Sequence, residues 1–584
     1  MEKNNIEQKR HTLAHLLCAV ILEKYPDARP TIGPAIDNGF YYDFDFPTTK
    51  PTEKDLKDLE KAMRKRLNKW TKSEHTEVSY EELKEMYKDN PFKLELVEEF
   101  KAKGEKLTIQ IFGENDRDLC RGGHIANPSK EIDGESFTLS RIAGAYWRGS
   151  EKNKQLTRIY GLAFDTKKEL EDYIRLLDEA KKRDHKILGR ELDIFTFSDL
   201  VGSGLPLWTP KGTVIRNLLD QFVWELRNKH SKYDKVEIPH ITKKELYETS
   251  GHWAKFKDEL FKITTREGHE FAMKPMNCPH HTQIYARKLW SYKELPQRYA
   301  NTTTCYRDEQ TGELSGLSRV RAFAQDDAHV FCRISDVEKE FSAIWNIIME
   351  FYSAFGFILK VRLSLHDPMK KDKYLGDESK WSTAESMLRN IVKDKKVEWY
   401  EGVGEAAFYG PKLDFMASDA LGREWQVATI QLDVNMPERF DLYCMNEKGE
   451  HERIVMIHAA IMGSIERFMS ILIEHTAGKF PLWLSPIQVK IIPVSEAQNI
   501  EAQKIDSNMR SKGIRTEIDI SNESFGKKVR NAKTSLIPYF IILGEKDMNA
   551  GVVTLESRDH GQLGQMTVEK VMDRLVEEIS NKEQ

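Results

Sequence analysis

The chain has 584 residues, with 89 lysines and arginines against 93 aspartates and glutamates, for a net charge of −4. That length predicts three or four domains at roughly 150 residues each, and 40% hydrophobic with 31% charged residues is the composition of a soluble globular protein. The acidic balance excludes wholesale non-specific nucleic-acid binding, and no apolar run approaches the roughly 20 residues of a membrane span.

In chain order, a first unit is expected over residues 1–165. It opens with an amphipathic helix from His11 to Tyr25, followed by a strand at Gly39–Phe44. A Lys/Glu-rich helix comes next, with Leu56, Leu59, Met63 and Trp70 as its apolar stripe. Residues 166–188 read as a charged, solvated connecting helix. A second unit spans 189–480, with a loop at Gly202–Gly212, a helix from Thr213 to Lys229 and a turn toward Pro239. A third, 481–584, alternates strands and helices: Val489 onward, Thr516 onward and Tyr539 onward are strands with helices between them, the order of a small α/β domain. Six cysteines, Cys18, Cys120, Cys278, Cys305, Cys332 and Cys444, lie scattered without a CxxC pair, so reduced thiols in a cytosolic protein are expected.

The second unit holds the most informative stretch. Asn301–Glu309 and Arg319–His329 alternate with period two across a Gly-containing loop, as a hairpin would. On that reading Arg319, Arg321, Gln325, Asp327 and His329 share one face of the second strand, and Arg307 and Glu309 share one face of the first. No GxxxxGK[ST] loop is present, so phosphates would be held by arginines, whose guanidinium fork is bidentate and always charged. Arg307, Arg319 and Arg467 are the candidates. Taken singly, Arg307 with Glu309, or Glu466 with Arg467, reads as an ordinary surface ion pair.

Together they resemble a known family. Arg307, Glu309 and Arg319 are similar to motif 2 of the class II aminoacyl-tRNA synthetases, Gly463–Arg467 to motif 3, and the helix running toward Pro239 to motif 1. More narrowly, Met276–His281, Arg319–His329, Phe408–Lys412, Trp425–Gln426, Gln431–Asp433 and Met456–His458 resemble the threonyl-tRNA synthetases, over almost the whole chain and in the right order. The resemblance implies an α+β and α/β multidomain protein. Its catalytic core would be an antiparallel sheet, preceded by an α+β editing domain and followed by an α/β anticodon-binding domain. It implies a cytoplasmic homodimer, built around motif 1, that joins L-threonine to tRNA(Thr) with ATP and Mg²⁺ through a threonyl-adenylate.

For the site, the resemblance implies one zinc ion on Cys278, His329 and His458, completed by threonine's amine and hydroxyl. Asp327 would accept from that hydroxyl, and Tyr409, Gln431 and Lys412 would line the pocket. Arg307 would meet the α-phosphate, Glu309 the adenine and Arg467 the γ-phosphate, with Gln426 near the nucleotide. In an ideal strand Gln426 and Gln431 have opposite parity, so a bulge is required between them.

In the first unit, His11 and His15 fall i, i+4 on one helical face, and Cys120 and His124 have matching spacing, a pattern that suits a metal. With Gly33–Phe44 and Ala145–Gly149 these residues resemble the editing domain shared with alanyl-tRNA synthetases. The resemblance implies a site that works without zinc, in which His11, His15, Asp118, Cys120 and His124 surround a water that hydrolyses seryl-tRNA, while their spacing leaves a metal there open. The motif has Gly123 where a proline is commoner, which widens backbone freedom beside His124. The family's usual members carry a ubiquitin-like β-grasp domain before this unit, and its absence here is expected to leave the chemistry intact. In the third unit Arg515, Lys527, Lys528, Arg530 and Arg558 are basic candidates for RNA phosphates or bases. Asn522, Arg530 and Arg558 are the expected anticodon contacts, although Ser521 stands where an arginine is usual. A class II synthetase for another amino acid, and an RNA-binding protein that keeps the fold without catalysis, remain as alternatives.

Overall fold

Apolar residues at 13, 16, 17, 20 and 21 wind along one side of the first helix, α1 (Glu2–Lys24), and all five side chains are buried. They face β1 (Gly39–Asp45) and α2 (Leu56–Leu67), whose Leu56, Leu59, Met63 and Leu67 are buried in turn. Just past α2, Trp70 stacks on Phe112 with ring centroids 4.2 Å apart. Helix α3 (Pro91–Ala102) follows. Phe112 ends β2 (Thr108–Phe112), which pairs antiparallel with β3 (Asp116–Leu119). Then β4 (Phe137–Tyr146) and β5 (Gln155–Ala163) form a hairpin, and β5 pairs antiparallel with β1. The computed structural model describes residues 2–256 and 258–583. The chain divides into two compact units between Asp178 and Glu179, inside helix α4 (Lys167–Arg183).

The connecting segment is not one solvated helix. Asp184 leaves the helical conformation and caps α5 (His185–Glu191) by accepting the N–H of Lys186 at 2.8 Å, and His185 is buried. Helix α6 (Pro210–His230) starts at a proline behind Thr209, the N-cap whose hydroxyl accepts the Gly212 N–H.

The second unit is built on one eight-stranded sheet. Its strands are β6 (Asp234–Lys235), β7 (Gln297–Tyr306), β8 (Ala322–Cys332), β9 (Ile358–Leu365), β10 (Trp399–Val403), β11 (Lys412–Ser418), β12 (Glu424–Asp433) and β13 (Val455–Ala460), arranged 6-7-8-13-12-11-9-10. All central pairs are antiparallel; only the β6–β7 and β9–β10 edge pairs are parallel. Helix α6, helix α8 (Val337–Ser353) and helix α9 (Ile465–Thr476) supply buried side chains to one core with this sheet, through residues such as Leu219, Phe341, Ile344, Ile348, Phe351 and Phe468. Each large apolar side chain buried there contributes roughly 1.5–3 kcal/mol. Helix α7 (Cys278–Tyr285) joins a smaller core with Phe331 and Met456.

The expected bulge is present. Phe415 faces Ala428 but Met416 faces Gln426, so Val427 is the extra residue. Its carbonyl lies 3.0 Å from the Tyr352 hydroxyl of α8. The skip puts Gln426, Thr429 and Gln431 opposite Met416, Asp414 and Lys412, all on one face.

The C-terminal part has β14 (Val489–Pro493), α10 (Asn499–Ser511), β15 (Thr516–Ile518), α11 (Phe525–Thr534), β16 (Tyr539–Leu543), β17 (Val553–Ser557), β18 (Gly561–Met566) and α12 (Val568–Asn581). The sheet runs 15-14-16-17-18, parallel across β15, β14 and β16. The antiparallel hairpin β17–β18 and the closing helix α12 extend the expected α/β pattern. Among the described residues no helix is long and apolar enough to cross a membrane. All six cysteines are buried free thiols.

Candidate functional site

Antiparallel pairing places a row of polar side chains directly across the large sheet. Tyr299 lies opposite His329, His329 opposite His458, His458 opposite Gln431, and Gln431 opposite Lys412. Directly opposed residues share a face and stand about 4.5–5.5 Å apart, so four strands aim His329, His458, Gln431 and Lys412 at one place. Cys278, at the first position of α7, completes a buried trio: donor atoms of Cys278, His329 and His458 all lie within 4.8 Å of one another.

The imidazoles are already oriented. His458 Nε2 is 3.0 Å from Asp433 Oδ2, and Asp433 is itself fixed by accepting the N–H groups of Asn435 and Met436. His329 Nδ1 meets His281 Nδ1 at 2.7 Å. That leaves His329 Nε2 and His458 Nδ1 facing each other at 3.1 Å. Two near nitrogens and a thiol, each distal imidazole nitrogen held by a neighbour, make a set of donors able to hold a metal ion. Burial, then the negative charges of Asp327 and Asp433, push the Cys278 thiol well above its ordinary value, so ionising it calls for a cation.

Around this trio, the Tyr409 ring stacks on His458 at 4.7 Å and its hydroxyl donates to Gln431 Oε1 at 2.5 Å. Asp327, one register step from His329, accepts from Asn277 Nδ2 at 3.0 Å, and burial raises it to about 6. Asn277 in turn receives the buried Lys274 ammonium at 3.0 Å, which also donates to Thr303. His252 lies 3.8 Å from the Cys278 sulfur and is lowered to about 3, chiefly by burial. No motif reading singled out Lys274 or His252; Asn277, His281 and Asp433 fell only within quoted strings.

The phosphate-type residues are arranged differently from the simple hairpin. β7 ends at Tyr306 and β8 begins at Ala322, so Arg307, Glu309, Arg319 and Arg321 belong to the loop rather than to strand faces; Gln325, Asp327 and His329 do lie on the strand. Arg307 sits between the Phe256 and Phe323 rings, its guanidinium carbon 5.6 and 5.2 Å from their centroids. Its Nε is buried without a hydrogen-bond partner among the described residues. Arg319 pairs with Glu309 at 2.8 Å and Glu313 at 3.2 Å. Arg467 starts α9, and desolvation by its neighbours followed by the like charge of Arg319 lowers its pKa. An anion between those two arginines would relieve that repulsion.

Lys412 and Gln426 are joined through Asp414, a fully buried carboxylate missed in the sequence. Its Oδ2 takes Lys412 Nζ at 2.7 Å, Ser364 Oγ at 2.7 Å and Arg362 Nη2 at 3.0 Å. Its Oδ1 takes Gln426 Nε2 at 2.8 Å and Thr429 Oγ1 at 2.9 Å.

The first unit brings its five candidates together. His11 and His124 stack at 4.0 Å, and the Cys120 sulfur is 3.1 Å from His124 Nε2 and 3.7 Å from His11 Nε2. Burial resists ionisation of Cys120, but hydrogen bonds from His11, His124 and His15 bring it down to about 3. Burial opposes the charge on His15, and Asp118 and Cys120 overcome it, to about 9. Asp118 also receives Lys93 Nζ at 2.6 Å and the Tyr42 hydroxyl at 2.5 Å. Lys93 was missed, since one lysine in a Lys/Glu-rich helix carries no distinguishing pattern. A cleft of about 340 Å³ is lined by His11, His15, Tyr42, Lys93, Asp118 and Cys120. Gly122 and Gly123 both take positive φ, +91° and +83°. Proline, fixed near −65°, cannot adopt that backbone, so this loop differs in path from one with proline at position 123.

In the C-terminal part Asn522 and Arg530 are exposed. Arg558 is not available as an RNA contact. Its guanidinium donates to the carbonyls of Phe480 and Leu536 at 3.1 and 3.0 Å and pairs with Asp559. Arg515 is likewise committed to the carbonyls of Ser485 and Trp483.

Comparison with known proteins adds to this geometry. A family model described as the tRNA synthetase class II core domain (G, H, P, S and T) matches residues 261–476, and one described as the anticodon binding domain matches residues 488–578. The chain is 46% identical over 582 residues to the threonine–tRNA ligase of Flavobacterium psychrophilum, covering 98% of this chain and 88% of that protein. It is 44% identical to the one from Gloeobacter violaceus, covering 100% and 94%. A solved structure titled as the RNA binding domain of threonyl-tRNA synthetase from Cryptosporidium parvum matches with a TM-score of 0.64 and 34% identity, covering 68% of this chain and 98% of that one.

Proposed function

The chain belongs to the threonine–tRNA ligase family, and from that premise we propose how its residues divide the work. Residues 189–480 activate threonine with ATP and pass it to tRNA(Thr), residues 1–165 remove serine attached in error, residues 166–188 connect them, and residues 481–584 grip the anticodon. The single observation that carries the reading is the row of His329, His458, Gln431 and Lys412 across the sheet, with Cys278 against the two histidines and Asp327 beside His329.

A zinc ion held by Cys278, His329 and His458 would supply a Lewis-acidic site for the amine and hydroxyl of threonine. Asp327 accepts the substrate hydroxyl's hydrogen bond while Asn277 keeps that carboxylate in place. Tyr409 and Gln431, already bonded to each other, wall the pocket. The amino acid's carboxylate then attacks the α-phosphate of ATP, and pyrophosphate leaves. Positioning and charge stabilisation account for most of such a step. Arg307, held between two aromatic rings, meets the α-phosphate; Glu309 meets the adenine; Arg467, with Arg319 beside it, meets the γ-phosphate, with Mg²⁺ bound to the ATP. The Asp414 hub fixes Lys412 and Gln426 beside them. A second copy of the chain, joined through α6 and the segment to Pro239, completes a cytoplasmic homodimer.

Magnitudes explain why one site does not suffice. Valine lacks the hydroxyl and would leave buried polar groups unpaired, a discrimination of roughly 10⁴ or more. Serine lacks only a methyl, which is worth about 1–3 kcal/mol. The cluster of His11, His15, Asp118, Cys120 and His124, with Lys93 and Tyr42, supplies the correction by positioning a water against the seryl ester. The test is charging of tRNA(Thr) with labelled threonine. Stoichiometric release of AMP and pyrophosphate supports the reading, and protein that binds tRNA but charges nothing contradicts it.

A further inference from the structure

The loop that carries Glu309 and Arg319 is held down by a residue that no motif contains. His185 opens α5 and is only 3% exposed. Its backbone N–H and its Nδ1 both donate to Glu474 Oε1 on α9, at 3.2 and 2.6 Å. Its Nε2 accepts the backbone N–H of Leu317 at 3.1 Å. These partners fix the tautomer, with the proton on Nδ1 and the lone pair on Nε2.

The neighbours close the same contact. Leu317 is fully buried, and Ser318 Oγ donates to Ser470 Oγ of α9 at 3.0 Å. Ser470 in turn donates to the carbonyl of Arg467 at 2.7 Å. Gly316 has φ +51°, and a Cβ placed there would stand 2.3 Å from His185 Nε2, so the loop backbone lies against the imidazole as closely as a glycine permits. The far oxygen of Glu474 is occupied by Arg423 Nη2 at 2.6 Å. Asp184, His185 and Glu474 also bring their donor atoms within 4.8 Å of one another. Both imidazole nitrogens are already hydrogen-bonded, however, so this cluster is a brace and not a metal site.

We propose that His185 and Glu474 are positioning residues that lock the loop 307–321, through residues 316–318, onto α9, so that Glu309 and Arg319 on the loop and Arg467 on the helix approach one nucleotide as a rigid set. This rests on the ATP-dependent activation proposed above. His185 touches no substrate. It acts by holding the loop, and a shift of about 1 Å in such a group costs on the order of 100-fold in rate.

Two readouts separate the brace from the function beneath it. The first needs no activity: hydrogen exchange at the Leu317 amide, whose acceptor is the His185 ring. In His185→Ala that amide should exchange at least tenfold faster, while α6 and α8 keep their protection. In His185→Gln, whose side-chain oxygen can reach toward the same amide, protection should be partly restored. Unchanged Leu317 exchange in His185→Ala overturns the brace.

The second readout is ATP–pyrophosphate exchange with His185→Ala and, from the opposite side of the contact, Gly316→Ala. Both should raise the KM for ATP at least tenfold and lower kcat, with the KM for threonine within twofold of wild type. If Leu317 is deprotected yet the ATP parameters stay within twofold, or both KM values rise equally, the positioning role is overturned. Wild-type protein with no exchange activity, but with Leu317 protected through His185, would instead overturn the reading of nucleotide chemistry on which the role rests.

Discussion

Replacing Asp433 with asparagine probes the centre of the site with minimal disturbance of shape. Asp433 is fully buried; its Oδ1 accepts two main-chain N–H groups, from Asn435 at 2.8 Å and Met436 at 2.9 Å, and its Oδ2 faces His458 Nε2 at 3.0 Å. In Asp433→Asn those two N–H donors keep the amide oxygen, so the NH₂ must turn toward His458 Nε2. An NH₂ group donates, which makes Nε2 an acceptor and moves the imidazole proton to Nδ1. Nδ1 is the nitrogen aimed at His329 and at the place proposed for the metal. The substitution therefore removes a charge-assisted bond and also stabilises the tautomer that cannot bind a cation. Loss of such a partner typically lowers metal affinity 10- to 100-fold, which is about 1.4–2.7 kcal/mol at 1.36 kcal/mol per decade. The tautomer argument places this variant at the upper end. The assay is competition for zinc with a chromogenic chelator, alongside a thermal melt of the zinc-free proteins. The expected result is affinity down about 100-fold with a zinc-free melting curve that overlays wild type, because the two main-chain bonds survive. Affinity within threefold of wild type refutes the assigned orientation of His458.

Other predictions follow from the same geometry. Asp414→Asn leaves Lys412 and Arg362 without their shared countercharge; breaking a buried pair of this kind costs about 3–5 kcal/mol, so the variant should unfold at lower urea and lose exchange activity, and an unchanged midpoint would contradict the hub. His11→Ala combined with His15→Ala should leave threonine activation intact and let seryl-tRNA accumulate; undetectable mischarging, in protein that still activates serine, rules out the editing assignment. Acid should loosen the first unit. His124 is lowered to about 4, chiefly by burial and then by the charges of His15 and His11, and Cys120 is lowered to about 3. A group whose folded pKa is depressed stabilises above its unfolded value and loses that contribution as pH falls through the folded value. His15, raised to about 9, is protonated in both states below about 6.5 and adds no slope there. Amide protection in α1 should therefore fall between about pH 6.5 and 4; protection that holds or rises would show the pKa directions to be wrong.

The sequence exposed some of this and hid the rest for identifiable reasons. The opposite parity of Gln426 and Gln431 demanded a bulge, because strand faces alternate strictly, and Val427 is that bulge. Cys278, His329 and His458 lie far apart in the chain, so only resemblance to a family could group them; strand pairing across β8 and β13 joins the two histidines, and α7 brings Cys278 to them. Arg319 and Arg321 fit a period of two, yet the strand starts at Ala322, since periodicity does not mark where pairing ends. Asp414, His185, Lys93 and Lys274 gave no signal at all. Each is an ordinary polar residue in a polar or mixed stretch, and its burial is decided by tertiary partners that no local pattern encodes. Arg558 misled in the opposite direction: an arginine near a loop reads as an RNA contact, but its guanidinium is spent on the carbonyls of Phe480 and Leu536.

The most direct test of the central claim is ATP–pyrophosphate exchange on zinc-loaded protein with threonine, serine and valine in parallel. The geometry of Cys278, His329, His458 and Asp327 predicts strong exchange with threonine, weaker exchange with serine and none with valine. Valine exchange equal to that of threonine would contradict the pocket described here, and no exchange with any of the three would contradict the activation chemistry altogether.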